Sequence, residues 1–200
     1  MRALGVLLAG GRGSRLGGGL PKALVACAGR TLLERARATL NALCDDVVVV
    51  APGSLALPVP ERERVADPPR ASGPLPAMVA GLGARAHDEA LVLAVDLPLV
   101  AEGALAALRA RRGGARALVP RPGGMAQPLA AWYASGAAGA LAAALAAGER
   151  SVIAAVQALE PVWVEDDALA RLPGGREAWL NVNTRDDLAV AEARLLEAQR

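Results

Sequence analysis

Arg12, Arg15 and Lys22 fall within eleven residues of one another, in a segment that also holds Gly10, Gly11, Gly13, Gly17, Gly18 and Gly19. Glycine lets backbone N–H groups approach a phosphate closely. Guanidinium and ammonium groups supply the positive charge that a polyphosphate demands. A glycine-rich turn alone would be weak evidence, but three cations beside it predict a cradle for a nucleoside triphosphate. The segment matches neither of two common phosphate motifs. G-x-x-x-x-G-K-[ST] fails because Ala23 follows Lys22 and no glycine directly precedes it. G-x-G-x-x-G fails because the sixth position from Gly11 is Leu16. Kinase-like and dehydrogenase-like readings are thereby set aside.

Asp96 is the second chemical element. It follows the apolar run Leu91 to Val95, and ligands in open α/β sheets bind at the carboxyl ends of strands. A carboxylate on the same edge as a triphosphate site has the chemistry to hold Mg²⁺; the plainer alternative is a helix cap or turn former. Asp67 ends a short strand near Val65 and reads equally as a polar contact at that edge or as a solvated turn residue. Asn181 and Asn183 alternate with Val182, so extended backbone would put both amides on one side, facing a ligand or supporting a metal. Part of that signal is structural, because Thr184 followed by Asp187 is a helix-capping pattern. His87 is the only histidine and lies in the polar turn Ala86-His87-Asp88-Glu89. It reads as a surface residue, and a single histidine excludes both a His-rich metal site and a histidine triad here.

These residues need a scaffold. Leu4 to Ala9, Val47 to Val50 and Leu91 to Val95 are continuously apolar and predict strands buried on both faces. Ala117 to Val119, Pro128 to Tyr133, Val162 to Val164 and Ala178 to Leu180 predict further strands. Helices are expected over Thr31 to Leu43, where Thr31 and Glu34 form a capping box, and over Pro74 to Ala86, Glu102 to Arg111, residues 136 to 147 and Asp186 to Glu197. Strands alternating with helices indicate an α/β fold with a mostly parallel sheet. No linker or repeat divides the 200 residues, which predicts a single domain.

Composition narrows the function further. Hydrophobic residues make up 54% of the chain, yet there is no Phe, one Tyr and three Trp, so the core must be Leu, Val and Ala. Net charge is +2 and the basic residues are scattered outside the glycine-rich loop. A nucleic-acid binder should show a broad basic face with stacking aromatics, which excludes that class. Cys27 and Cys44 lack metal spacing and read as reduced, buried or half-buried thiols. No signal peptide is apparent and no apolar run approaches membrane-spanning length, so a cytoplasmic location is expected.

Leu8-Ala9-Gly10-Gly11, Arg15 and Pro21-Lys22 together resemble the signature loop of nucleotidyltransferases with a Rossmann-like fold. Gly73-Pro74-Leu75, Asp96-Leu97-Pro98, Gln127-Pro128-Leu129, Ala147-Gly148-Glu149-Arg150-Ser151 and Asn181-Val182-Asn183-Thr184 resemble, in order and rough spacing, the molybdenum cofactor guanylyltransferase family. The resemblance implies one three-layer domain over residues 1–200, its N-terminal part binding nucleotide and its C-terminal part binding acceptor. It implies Mg²⁺-dependent transfer of GMP from GTP to the phosphate of molybdopterin, with release of pyrophosphate. Leu8, Ala9, Gly10, Gly11 and Asp67 would contact the nucleotide, Arg15 and Lys22 its phosphates, and Asp96 the metal. Asn181 and Asn183 would lie near the acceptor, and transient contact with cofactor-delivery or molybdoenzyme proteins would follow. Pro21 stands where the family usually has an acidic residue, and Pro76-Ala77 where it usually has Ala-Gly. Cytidylyl transfer to molybdopterin, nucleotidyl transfer to a sugar phosphate or a cobamide precursor, and non-catalytic nucleotide binding remain alternatives at this point.

Overall fold

The computed structural model describes residues 1–11, 13, 16, 19–68 and 73–198. In chain order the regular elements are β1 (Ala3–Leu8), β2 (Ala26–Cys27), β3 (Arg30–Thr31), α1 (Leu32–Leu43), β4 (Asp46–Ala51), β5 (Arg64–Ala66), α2 (Pro74–Gly83), β6 (Glu89–Ala94), α3 (Glu102–Arg111) and β7 (Ala117–Pro120). They continue with β8 (Ala130–Ala134), α4 (Ser135–Ala146), α5 (Val152–Gln157), β9 (Val162–Val164), α6 (Asp166–Leu169) and α7 (Arg185–Glu197).

Seven strands form one sheet in the order β5-β4-β1-β6-β8-β7-β9. All neighbours are parallel except that β8 runs antiparallel to both β6 and β7. The strands are apolar on both faces because both faces are covered. Leu7, Val49, Leu91 and Leu93 pack with α1, α3 and Ala191 of α7. Val6, Leu8, Val48, Val50 and Val92 pack with α2, α4 and α5. The result is a three-layer α/β domain with a mostly parallel mixed sheet, its core mostly Leu, Val and Ala around a few large side chains such as Trp132, Tyr133 and Trp179.

Local chemistry explains the helix starts. In α1, Glu34 N–H donates to Thr31 Oγ1 (3.1 Å) and Thr31 N–H donates to the Glu34 carboxylate (2.7 Å), which completes the capping box. In α2, proline occupies the first turn, where no intrahelical N–H is missed. Two expectations shift. Ala178 to Leu180 is not a strand: Arg176–Trp179 forms a 3₁₀ turn, entered through Gly174 and Gly175 at positive φ. Trp179 is buried among the α1-side core, and a three-residue apolar run cannot by its periodicity distinguish a strand from a buried turn. The α2 helix stops at Gly83, short of Ala86.

Helix α2 reaches the sheet over Gly81. A Cβ there would overlap the Val6 side chain and come within 2.9 Å of Val50 Cγ2. Gly81→Ala is therefore expected to destabilise the fold by about 1–3 kcal/mol through overpacking. In a domain this size that lowers Tm by roughly 2–10 °C, readable by thermal denaturation; an unchanged Tm would mean that α2 docks differently.

The amino ends of the strands carry a separate ion-pair group. Glu89 is buried and accepts from Arg112 (2.9 Å) and Arg109. It tethers α3 and the segment after it to β6 at the end opposite the cleft described next.

Candidate active site

The sheet register places Leu8 beside both Val50 and Ala94, and Ala51 beside Ala66. The carboxyl ends of β1, β4, β5 and β6 thus lie along one edge, where ligands bind in open parallel sheets. Antiparallel β8 begins at the same edge, since Leu93 pairs with Ala130. A cleft of about 920 Å³ opens there. Leu8, Gly10, Gly11, Lys22, Asp67 and Asp96 line it, with Pro52, Gly53 and Ser54 along one wall and Pro74 and Ala77 of α2 along another. Ala9 does not line it: it is buried behind the loop, its N–H bonded to the Val50 carbonyl (2.9 Å). Arg12 and Arg15 lie outside the described residues.

The loop after β1 is shaped by close backbone approach. Gly13 has φ +64°, and a Cβ there would sit 3.0 Å from the Leu20 carbonyl oxygen and the Lys22 nitrogen. Lys22 N–H in turn donates to the Gly11 carbonyl (3.1 Å). A Cβ at Gly10 would come within 3.2 Å of Asp67 Oδ2, so glycine brings the loop backbone against that carboxylate. Asp67 Oδ1 is buried without a hydrogen-bond partner among the described residues. Desolvation raises the Asp67 pKa above the ordinary aspartate value.

Lys22 opens a 3₁₀ turn and is 8% exposed. Its Nζ donates to Asp96 Oδ2 (2.9 Å) and to Asn183 Oδ1 (2.7 Å). Three segments separated by 74 and 161 residues therefore meet at one ammonium group. The 181–183 segment is stitched to the β6 edge by Val182 N–H donating to the Asp96 carbonyl (2.8 Å). Val182 itself is fully buried. The segment belongs to no strand, yet its two amides both reach the cleft side with different partners: Asn183 meets Lys22, and Asn181 Oδ1 accepts from Gln127 Nε2 (2.9 Å).

Asn181 lines a second, smaller pocket of about 360 Å³ that adjoins the first through Pro74, Asp96 and Leu129. Gln127, Arg150, Ser151 and Ile153 are also among its lining. Gln127 carries a role that residue-type reasoning did not assign; its signal was the Gln127-Pro128-Leu129 motif ahead of β8. Asp187 also gains a role beyond capping. Its Oδ2 accepts from the N–H groups of both Asn183 (2.9 Å) and Thr184 (2.8 Å), and these backbone donors hold its carboxyl below the usual range.

The donors fit Mg²⁺ in one specific way. Among the described residues no three His, Cys, Asp or Glu side chains gather into a metal cage. Mg²⁺ is commonly held by one or two carboxylates together with substrate phosphates, and Asp96, a hard oxygen donor at the cleft, would supply the protein's part of such a set. Other reactive groups stay out of the cleft. Cys27 and Cys44 are free thiols raised by burial, Cys44 to about 12. His87 is half-buried, its Nδ1 2.9 Å from the Arg85 carbonyl. Among the described residues no helix is long and apolar enough to cross a membrane.

Comparison with known proteins gives the family and agrees with the fold. Residues 5–162 match the MobA-like NTP transferase domain. A Chloroflexus aggregans protein named as a probable molybdenum cofactor guanylyltransferase is 37% identical, over 98% of this chain and 96% of its own. The molybdenum cofactor guanylyltransferase of Pseudomonas syringae pv. tomato is 35% identical, over 82% of this chain and 83% of its own. The crystal structure of molybdopterin-guanine dinucleotide biosynthesis protein A from Archaeoglobus fulgidus superposes with a TM-score of 0.76 at 25% identity, covering 97% of this chain and 99% of that one. With a glycine-rich loop, Lys22 and Asp96 gathered at the carboxyl edge of its sheet, the chain belongs to the molybdenum cofactor guanylyltransferase family, within the MobA-like NTP transferase domains.

Proposed function

We propose that the protein transfers GMP from GTP to the phosphate of molybdopterin, forming the guanine dinucleotide and releasing pyrophosphate. The observation that carries this reading is the meeting of Lys22, Asp96 and Asn183 at the cleft, in a chain 37% identical along almost its whole length to a relative of that name. An oxygen of the acceptor phosphate attacks the α-phosphorus, a new P–O bond forms, and the bond to the departing pyrophosphate breaks. The nucleophile is already ionised, so no general base is needed, and the cleft's lack of a histidine is consistent with the chemistry.

In this reading the N–H groups of Gly10 and Gly11, which line the cleft, receive the triphosphate, and Arg15 and Lys22 neutralise it. Asp67, whose Oδ1 has no hydrogen-bond partner among the described residues and which lies against Gly10, accepts from the nucleoside. Asn181 and Gln127 orient the acceptor in the adjoining pocket. Asp96 holds Mg²⁺, which supplies Lewis-acid stabilisation of charge on the phosphates. The enzyme works in the cytoplasm and meets cofactor-delivery and molybdoenzyme proteins transiently.

The test is pyrophosphate release with four nucleoside triphosphates against molybdopterin and a panel of sugar phosphates, in the presence of Mg²⁺. Release confined to GTP with molybdopterin is expected. A preference for CTP or a sugar phosphate would overturn the assignment.

Asp67 gives a second measurement. Burial penalises its charged form, so Asp67→Asn should stabilise the unliganded protein at neutral pH. That difference should shrink as pH falls through the raised Asp67 pKa, where the wild-type carboxyl takes up its proton. GTP affinity should fall about tenfold, the cost of losing a charged acceptor. Thermal melts across pH with and without GTP read both; unaltered GTP binding would remove Asp67 from the nucleotide site.

A further inference from the structure

Lys22 is the only lysine in the chain. Its ammonium is bracketed from two sides, by Asp96 Oδ2 from the β6 edge and by Asn183 Oδ1 from the segment before α7. An ion pair to one carboxylate leaves a four-carbon side chain free to pivot about that oxygen. A second acceptor, fixed elsewhere, defines a point. Asn183 is itself fixed at both ends of its backbone neighbourhood: its own N–H is held by Asp187 Oδ2 (2.9 Å), and the preceding Val182 N–H by the Asp96 carbonyl (2.8 Å). Asp187 thus ties α7 to the ammonium through a single intervening residue.

We propose that Asn183, anchored by Asp187, is a positioning residue that sets the Lys22 ammonium in the cleft, and that it does not serve as an acceptor contact. Its carbonyl oxygen is spent on Lys22 at 2.7 Å, and it lines neither pocket, whereas Asn181 lines the acceptor-side pocket with Gln127. A neutral amide suits the task. It orients the ammonium without adding a second negative charge that would compete with phosphate for it. The kinetic part of the proposal rests on the guanylyl-transfer reading; the geometric part does not.

The full chain, labelled with ¹³C at lysine, reports Lys22 as a single side-chain Cε signal. Asn183→Ala and Asp187→Ala are expected to move that signal. Asp187→Asn, which retains an acceptor oxygen for the Asn183 N–H, should restore the wild-type position. Thr184→Ala removes the α7 cap (Asp187 N–H to Thr184 Oγ1, 3.2 Å) without touching the Asn183 N–H, and so controls for helix destabilisation. It should lower Tm yet leave the lysine signal in place. In turnover, Asn183→Ala and Asp187→Ala should lower kcat about ten- to hundredfold with the acceptor KM within about twofold, as a misplaced catalytic group does. A lysine signal unmoved in Asn183→Ala, or moved equally in Thr184→Ala and Asp187→Ala, overturns the proposal. So does a raised acceptor KM with kcat preserved. Wild-type protein inactive with GTP would sink the guanylyl-transfer reading alone, and the lysine signal would still decide this one.

Discussion

Lys22→Ala is expected to abolish all but about one part in a hundred of GTP turnover, or less. The side chain is 10% exposed, so its charge acts in a poorly hydrated pocket where electrostatic stabilisation is worth more than in water. Charge shifts onto the α-phosphate and the departing pyrophosphate during transfer, and removing one preorganised donor from such a site typically costs a hundred- to a thousandfold. The substitution also strands two acceptors, Asp96 Oδ2 and Asn183 Oδ1. Lys22→Arg should fare little better in turnover. A planar guanidinium is longer than an ammonium and cannot sit at the same point between oxygens 2.9 and 2.7 Å away. It keeps its charge, however, so GTP binding should survive in the arginine variant. Single-turnover pyrophosphate release, set beside equilibrium GTP binding, separates the two effects. Near-normal turnover in either variant would remove Lys22 from the chemistry.

The second large effect belongs to Asp96. Asp96→Asn preserves the size of the side chain, an acceptor for Lys22 and the main-chain carbonyl that receives Val182 N–H. What it removes is the negative charge at the carboxyl edge of β6. Turnover should fall at least about a hundredfold, in line with other losses of fixed electrostatic stabilisation. The Mg²⁺ concentration needed for half-maximal rate should rise, because a neutral amide is a poorer ligand for a hard cation. The melting temperature should stay close to wild type. A rate restored fully at saturating Mg²⁺ would confine Asp96 to metal recruitment; an unchanged rate at all Mg²⁺ concentrations would deny it any role.

Much of this site is visible in the primary structure because its parts are local. Leu4 to Ala9 reads as a strand from its unbroken apolar run, and the glycines and cations after it read as a phosphate loop from side-chain chemistry alone. Thr31 with Glu34 and Thr184 with Asp187 announce helix starts, since a cap needs only three residues of context. The Ala178 to Leu180 segment misleads for the complementary reason. Its conformation follows from two glycines at positive φ and a tryptophan drawn into the core, neither of which alters its periodicity. The β2–β3 hairpin escapes notice because each strand has two residues, fewer than any alternation can register.

Residue types and short-range order thus settled the α/β class and the identity of the glycines, cations, carboxylates and amides available for chemistry. They could not pair those groups. That Lys22 is held between Asp96 and Asn183, and that Asn181 works with Gln127 while Asn183 works with Lys22, depends on contacts spanning 54 to 161 residues. Such contacts exist only once parallel strands align their carboxyl ends and a packed core fixes their register. Hydrogen bonds reach about 3 Å, and no spacing along a chain encodes a distance that small between segments so far apart.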